Sequence, residues 1–310
     1  MLYIREYERH SKWHEPNMLA RRAGAVKPRL PPFLRIHEHR WYTSGVTRLY
    51  WPQFGILFAA ALLGGLAILP YSLRLLNASG QSDAIKLPVP RLLLLSFLQT
   101  AVLSAIAIGV GLLAAQAMGL GAPYIEAALA RNGSIKGIEQ MLRPAIGLGV
   151  LGGVVILLMD LLFLPYWPSR LRDMARKTTT WENITASFYG GLNEEFLMRL
   201  FGLSVLLWLL SRIWHTPTGR PTNAVFWSAN VMMAIVFGLG HLPAAYGLLG
   251  TVSPLMLART LLLNAPIGLI TGWLFWTYGI EAAVLAHFST DIVYHVVGTL
   301  ILRHHLSTST

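Results

Sequence analysis

Within apolar stretches of the second half of the sequence, six of the ionisable side chains fall into three separate groups whose residue types could do chemistry. They are Glu194, Glu195, Arg199, His241, His287 and Asp291. A charge at the bilayer centre costs at least about 2.5 to 3.5 kcal/mol even on lenient insertion scales, so each group should face protein or a wet cavity rather than lipid. Carboxylates and imidazoles that converge on such a cavity are the usual groups of general acid and base catalysis. The sequence therefore predicts a catalytic chamber.

The spacing of the first group gives its two glutamates different environments. Glu195 and Arg199 are four residues apart with the acid first, which is the favoured order for an ion pair on one helix face. Glu194 points about 100° away from that face and lacks this partner. The pattern predicts Glu194 as a general base that takes a proton from water. The alternative is that the three residues form a structural polar contact between spans.

The other two groups supply imidazoles. His241 follows small residues and precedes Pro243, which ends or bends a helix at the imidazole; taken alone, such a histidine is more often an interhelical hydrogen bonder than a catalyst. His287, Asp291 and His295 repeat every four residues and share one helix face. Asp291 is therefore expected to hold His287 in one tautomer. The alternative is a polar seam packed against another helix.

Three short motifs, taken in order, resemble those of a known protease family. They are Glu-Glu-x-x-x-Arg at 194–199, Phe-x-x-x-His at 237–241 and His-x-x-x-Asp at 287–291. This arrangement is similar to the CPBP family of glutamate-dependent intramembrane proteases, which includes the CAAX prenyl endopeptidases and many bacterial relatives. The likeness covers about residues 183–302, and the preceding 180 residues carry no recognisable signature.

The resemblance implies an endopeptidase that acts on a membrane-associated peptide or protein, with or without a lipid group. In such an enzyme Glu194 would activate a water that His241 helps to place. Glu195 and Arg199 would support that base.

The resemblance assigns the oxyanion of the tetrahedral intermediate to His287 and the residue at position 291. The prenyl endopeptidases carry asparagine where this sequence has Asp291. An asparagine donates a hydrogen bond to an oxyanion, whereas an ionised aspartate repels it. Either Asp291 is protonated, or it acts through His287 by keeping the imidazole positively charged.

Other functions for the polar groups stay open. Two histidines and a glutamate can form a zinc site, although no His-Glu-x-x-His pair is present and the adjacent arginine competes with a cation. The prediction is no cofactor, with zinc as the alternative. The sequence has no cysteine, which excludes thiolate catalysis. Buried acids and histidines also serve proton-coupled transporters, and a family member without proteolytic activity would be a membrane scaffold.

Composition predicts the fold class. Hydrophobic residues make up 54% of the 310 residues and charged residues only 13%, whereas soluble proteins have about 25% charged residues. Apolar stretches of roughly 20 residues recur, each long enough to cross a hydrocarbon core of about 30 Å. Backbone groups in lipid must be satisfied internally, and no alternating barrel pattern appears. We predict an all-α polytopic transmembrane bundle without a large soluble domain.

Seven spans are predicted, at about 51–74, 92–118, 144–167, 184–210, 222–246, 254–278 and 281–301. Residues 123–143 predict a polar connection with a short helix, and 170–177 predict an amphipathic juxtamembrane segment. With the amino terminus inside, the inner loops carry fifteen Lys or Arg and the outer loops eight, as the positive-inside rule favours. Four of the outer eight lie in 170–177. Either an eighth span is present or this segment lies in the interface.

The first 49 residues form a basic arm with ten Lys or Arg and four Glu. No apolar region follows the charges closely, so the pattern does not indicate a cleaved signal peptide. We expect a cytoplasmic arm that touches anionic lipids and does not bind nucleic acid, in a multi-pass protein of a bacterial inner membrane. The predicted organisation is this arm (1–49), amino-terminal membrane helices (50–182), a catalytic core (183–302) and a tail (303–310).

Overall fold

The computed structural model describes residues 49–80, 87–130, 137–216, 221–301 and 303. The predicted basic arm and carboxyl-terminal tail lie outside the described residues, apart from Leu49 and Arg303.

The described residues are organised as helices. The α-helices are α1 (Trp51–Ala67), α2 (Leu69–Ser79), α3 (Val89–Ala117), α4 (Pro123–Leu129), α5 (Ile138–Phe163), α6 (Ser169–Lys177), α7 (Thr180–Tyr189), α8 (Ser204–Leu210), α9 (Asn223–Gly240), α10 (Leu242–Leu249), α11 (Pro254–Tyr278) and α12 (Ile280–Asp291). The π-helical segments are π1 (Gly190–Glu194), π2 (Phe196–Leu203) and π3 (Ile292–Gly298). A short 3-10 turn at Leu164–Tyr166 follows α5.

Six stretches of the described chain are long and apolar enough to cross a membrane. They are Trp51–Ser79, Val89–Ala117, Ile138–Tyr166, Asn223–Leu249, Pro254–Tyr278 and Ile280–Ile301. These stretches confirm the prediction of an all-α, multi-pass integral membrane protein. The third begins at Ile138, earlier than predicted, and Pro144 lies inside it.

The remaining predicted span, 184–210, is also helical. The chain is continuously helical over 180–210, which we call the glutamate segment. This segment is less apolar than the other six because any 18 consecutive residues in it include at least three charged side chains. The charges are those of Glu182, Glu194, Glu195 and Arg199.

Contacts at the two ends of the bundle agree with seven crossings. At the first end, Arg74 pairs with Glu182 at 3.0 Å and Arg170 donates to the Leu248 carbonyl. The Arg303 side chain also donates there, to the carbonyl of Ala175. These contacts join the end of the first span, the start of the glutamate segment, and the ends of the two spans 223–249 and 280–301.

The second end contains the opposite termini of the first and last of these spans. Gln53 donates to the Ala122 carbonyl, and Glu281 accepts hydrogen bonds from the backbone amides of Tyr124 and Ile125, both at 2.9 Å. The predicted short helix in the polar connection is α4, and it lies at this end. The amphipathic α6 lies at the first end, in contact with α2 and α10.

Local sequence explains where the site helices begin and break. Thr179 and Glu182 form a capping box that starts the glutamate segment. Pro243 has no amide hydrogen, so the helix that carries His241 is interrupted between α9 and α10. On α11, Gly268 packs against Ala234 of α9, which brings the backbones of these two helices together.

Candidate active site

Glu195 is the most enclosed acid of the site. Its side chain is fully buried and its Oε1 lies 3.1 Å from Nη1 of Arg199, one turn further along the same segment. Arg199 also donates through Nη2 to the Gly268 carbonyl at 3.2 Å. A fully buried carboxylate requires such a partner, because an isolated ion in an apolar interior is strongly disfavoured. The predicted pairing of these two residues is therefore present in the structure.

Glu195 also fixes the orientation of His287. The distance between His287 Nδ1 and Glu195 Oε1 is 2.7 Å, so Nδ1–H donates to the carboxylate and Nε2 points toward the rest of the site. Sequence reasoning expected Asp291 to orient this ring. In the structure Asp291 Oδ1 instead lies 3.6 Å from His287 Nε2, on the opposite side of the ring. The shorter contact comes from a different helix, which the spacing along α12 does not reveal.

Glu194 occupies a more open position than its neighbour. Its side chain is 25% exposed, and its Oε2 lies 3.8 Å from His287 Nε2 and 4.0 Å from His241 Nε2. These distances exceed a direct hydrogen bond and suit a bridging water. The two adjacent acids are therefore distinct, as the helical spacing predicts: one is engaged in the interior, and the other faces two imidazoles and solvent.

His241 is held by its own helix. Its Nδ1 lies 2.9 Å from the Phe237 carbonyl oxygen, one turn earlier. This contact makes Nδ1 the donor and leaves Nε2 directed at Glu194. The ring is 37% exposed, which fits its location at the break between α9 and α10.

Phe237 connects the parts of the site through its aromatic ring. The Arg199 guanidinium lies 4.8 Å from the ring centroid, within the range of a cation–π contact. Both histidine rings meet it edge to face, at 4.8 Å for His241 and 5.6 Å for His287. A single buried aromatic therefore contacts the guanidinium and both imidazoles.

Asp291 completes the group on α12. Its carboxylate lies 3.6 Å from His287 and 3.9 Å from His295. A Cβ at Gly190 would clash with Asp291 Oδ2. Gly191 is also close to α12, where its Cβ would lie 3.1 Å from the Val284 carbonyl. The Gly-Gly pair lets the glutamate segment approach α12 closely enough for Glu195 to reach His287.

The structure brings together all six residues that sequence analysis singled out. It also adds features that spacing did not indicate, namely the Gly190-Gly191 pair, the central position of Phe237, and π-helical backbone next to the first and third motifs. Glu194 ends π1, Arg199 lies in π2, and π3 begins directly after Asp291. Such widened turns are rare in proteins and often occur at functional sites. Two adjacent glycines just before the glutamates were the available sequence signal.

The donors that could hold a cation are histidine nitrogens and carboxylate oxygens. Within the described residues, no group of three or more His, Asp or Glu side chains is arranged to hold a metal ion. The arrangement around Glu194 is that of a carboxylate facing two imidazole rings, which is suited to moving a proton between water and substrate.

Comparison with known protein families gives one match. Residues 176–293 match the family model described as Type II CAAX prenyl endopeptidase Rce1-like. The matched region contains all six site residues and confirms the resemblance inferred from the motifs. Comparison with curated proteins gave no significant match, and neither did comparison with solved structures.

Proposed function

Because residues 176–293 are similar to a family of endopeptidases, we propose that this protein is an intramembrane protease of the glutamate type. The observation that carries the proposal is the contrast between the two adjacent acids. Glu195 is buried against Arg199 and His287, whereas Glu194 is partly exposed and faces two imidazole nitrogens within 4.0 Å. An acid in that position can take a proton from water and return it to a leaving group.

In the proposed reaction, Glu194 accepts a proton from a water molecule that His241 Nε2 helps to place. The water oxygen attacks the scissile carbonyl carbon, and the carbonyl π electrons move to its oxygen. His287 stabilises this oxyanion, together with Asp291 when that side chain carries a proton. Collapse of the intermediate breaks the carbon–nitrogen bond, and Glu194 gives its proton to the departing nitrogen. The products are a carboxylic acid and an amine, with one water consumed.

The proposed substrate is a membrane-associated peptide or protein, with or without a lipid group. A site between membrane helices favours a segment that is anchored in or near the bilayer. We further propose that the protein resides in a bacterial inner membrane with its amino terminus in the cytoplasm. The basic residues 5–48 would then touch anionic lipids of the inner leaflet.

The test of the mechanism is Glu194→Gln. The amide keeps the shape of the side chain and removes the base, so hydrolysis should fall at least about 10²-fold while thermal stability stays near wild type. Quenched-fluorescent peptides, with and without a prenylated cysteine, can be assayed in proteoliposomes. Mass spectrometry of membranes from producing cells would identify products that depend on Glu194.

The matched control is Glu182→Gln, the same change at the start of the same helical segment. Glu182 pairs with Arg74 at the first end of the bundle, outside the site, so the control should retain activity. A Glu194→Gln enzyme with near-normal turnover would refute the mechanism.

The orientation is testable because the sequence has no cysteine. Ser169 and Ala128 are exposed at opposite ends of the bundle. With the amino terminus inside, a membrane-impermeant maleimide should label Ser169→Cys in intact cells and Ala128→Cys only after permeabilisation. The reverse pattern would place the amino terminus outside.

A further inference from the structure

A second buried polar cluster lies outside the residues assigned to catalysis. Arg259 of α11 donates two hydrogen bonds to Asp160 of α5, from Nε to Oδ1 at 2.6 Å and from Nη2 to Oδ2 at 2.7 Å. The Tyr294 hydroxyl donates to Asp160 Oδ2 at 2.7 Å and accepts from Arg259 Nη2 at 3.2 Å. Trp167 Nε1 donates to Asp160 at 3.3 Å. We call these four residues the Asp160 cluster.

The cluster is buried and its hydrogen bonds are reciprocal. Asp160 is 1% exposed and Arg259 14%. Burying an ion pair removes both charges from water, and replacing such a pair by apolar residues is often neutral or stabilising. Ionisable residues within membrane segments therefore usually serve a function beyond stability. Asp160 and Tyr294 also lie outside the family match.

The cluster is connected to the site through Tyr294. This residue belongs to π3, which continues α12 directly after Asp291, so Tyr294 and Asp291 are about one turn apart. The Tyr294 side chain packs against the apolar cluster that contains Phe237, and Phe237 contacts both histidine rings.

A second contact attaches π3 to the glutamate segment. Asn183 Nδ2 donates to the carbonyl oxygen of His295 at 2.7 Å. The segment π3 is therefore held from two sides, by α5 and α11 through the Tyr294 hydroxyl and by α7 through Asn183. A widened turn departs from the regular hydrogen-bond spacing of an α-helix, and these external bonds hold π3 from both sides.

We propose that the Asp160 cluster is a positioning device, in which the Tyr294 hydroxyl fixes π3 and so sets the location of Asp291 and Phe237 relative to Glu194. The expected effect on turnover rests on the proposed function, whereas the expected effect on the position of π3 is independent of it. None of the four residues touches the reacting atoms, so each acts through the residues that it places.

The primary variant is Tyr294→Phe, because it removes one hydroxyl and keeps the ring that packs near Phe237. Misplacement of catalytic groups by about 1 Å can cost about 10²-fold, so we expect kcat to fall about 10-fold to 100-fold with KM within about twofold of wild type. The assay uses the quenched-fluorescent peptides in proteoliposomes. Arg259→Lys should behave similarly, because a single ammonium cannot reproduce the two-pronged contact with Asp160.

A readout without substrate measures the position of π3 directly. Val297 of π3 and Ile235 of α9 are both exposed, and the cysteine-free chain permits spin labels at these two positions. Electron paramagnetic resonance should give a broadened or shifted distance distribution in Tyr294→Phe. The wild-type background should give a single narrow distribution.

The matched control is Gln53→Ala, which removes a buried polar contact at the second end of the bundle. This control should leave the distance distribution, kcat and KM unchanged. An unchanged distance in Tyr294→Phe, or an equal loss of kcat in Gln53→Ala, would overturn the proposal. If the wild type shows no hydrolysis that depends on Glu194, the proposed function fails, and the distance measurement still decides the positioning role.

Discussion

Two buried arginine–carboxylate pairs, Glu195–Arg199 and Asp160–Arg259, lie in the membrane part of the protein and differ in how completely they are satisfied. Arg259 makes two short hydrogen bonds to both oxygens of Asp160, which also accepts from a tyrosine and a tryptophan. Arg199 makes one ion-pair contact, to Glu195 Oε1. Among the described residues, Glu195 Oε2 has no hydrogen-bond partner.

The difference separates a pair that joins several helices from a pair that orients a histidine. The Asp160 pair joins α5, α11 and π3 through hydrogen bonds to both carboxylate oxygens and to the Tyr294 hydroxyl. The shortest contact of the Glu195 pair, at 2.7 Å, joins Glu195 Oε1 to Nδ1 of His287. Glu195 thereby sets which nitrogen of His287 faces Glu194. A carboxylate that orients a working imidazole is a recurrent arrangement in enzymes.

The largest expected effect comes from breaking the pair at the site. Arg199→Ala leaves Glu195 buried without its counter-ion, which typically costs about 3 to 5 kcal/mol, so both thermal stability and hydrolysis should fall. The double variant Glu195→Gln with Arg199→Met removes both charges. It should recover stability without recovering activity, because the amide no longer fixes the His287 tautomer.

The equivalent substitution at the Asp160–Arg259 pair gives a second measurement of the loss in stability. Arg259→Ala should destabilise by a similar amount, since Asp160 is equally buried. Melting curves in detergent and hydrolysis rates measured on the same preparations separate the two effects. Wild-type stability in Arg199→Ala would show that Glu195 does not depend on this arginine.

A smaller and more selective effect is expected at Asp291. If this residue is a protonated donor to the oxyanion, Asp291→Asn should keep substantial activity, while Asp291→Ala should lose roughly 10²-fold or more, the cost of one oxyanion-hole donor. If it instead keeps His287 cationic, Asp291→Asn removes a counter-charge and the activity profile should shift toward lower pH. Rates of both variants measured across pH distinguish the two roles. Wild-type rates in both variants at every pH would reduce the third motif to His287.

Sequence patterns predicted the membrane class, the helical bundle and the six residues that meet at the site. These predictions succeeded because they depend on residues that are close in sequence. An acid in an apolar helix stands out because a charge in lipid is costly, and residues four positions apart share one helix face. They did not predict that Glu195, rather than Asp291, orients His287. That contact joins residues 92 positions apart in the sequence, on two different helices. It depends on the close approach of those helices at Gly190 and Gly191.

The Asp160 cluster was missed for a related reason. Asp160, Arg259 and Tyr294 lie on three different elements, with 99 positions between the acid and the base. Asp160 and Arg259 are each the one charged residue of their predicted spans, 144–167 and 254–278, so no spacing rule connects them. The sequence did contain one indication of this contact. A single acid and a single base in separate apolar spans are expected to pair, because an unpaired charge within the membrane is costly.

The smallest expected effect is that of metal removal, and it tests whether Glu194 or a cation activates the water. In the structure two imidazole Nε2 atoms face one carboxylate oxygen within 4.0 Å, and each Nδ1 is held by another group. Metal-binding histidines are often oriented in that manner as well, so the charge beside the carboxylates is what distinguishes the two mechanisms. The guanidinium of Arg199, which contacts Glu195 and the Phe237 ring, already supplies a positive charge beside the carboxylates and disfavours a second cation.

We therefore expect hydrolysis to survive prolonged incubation with a strong chelator within about twofold, and elemental analysis to find far less than one zinc per chain. Stoichiometric zinc, with activity lost on its removal and restored by its return, would assign the water to a metal and leave Glu194 as a ligand or proton carrier.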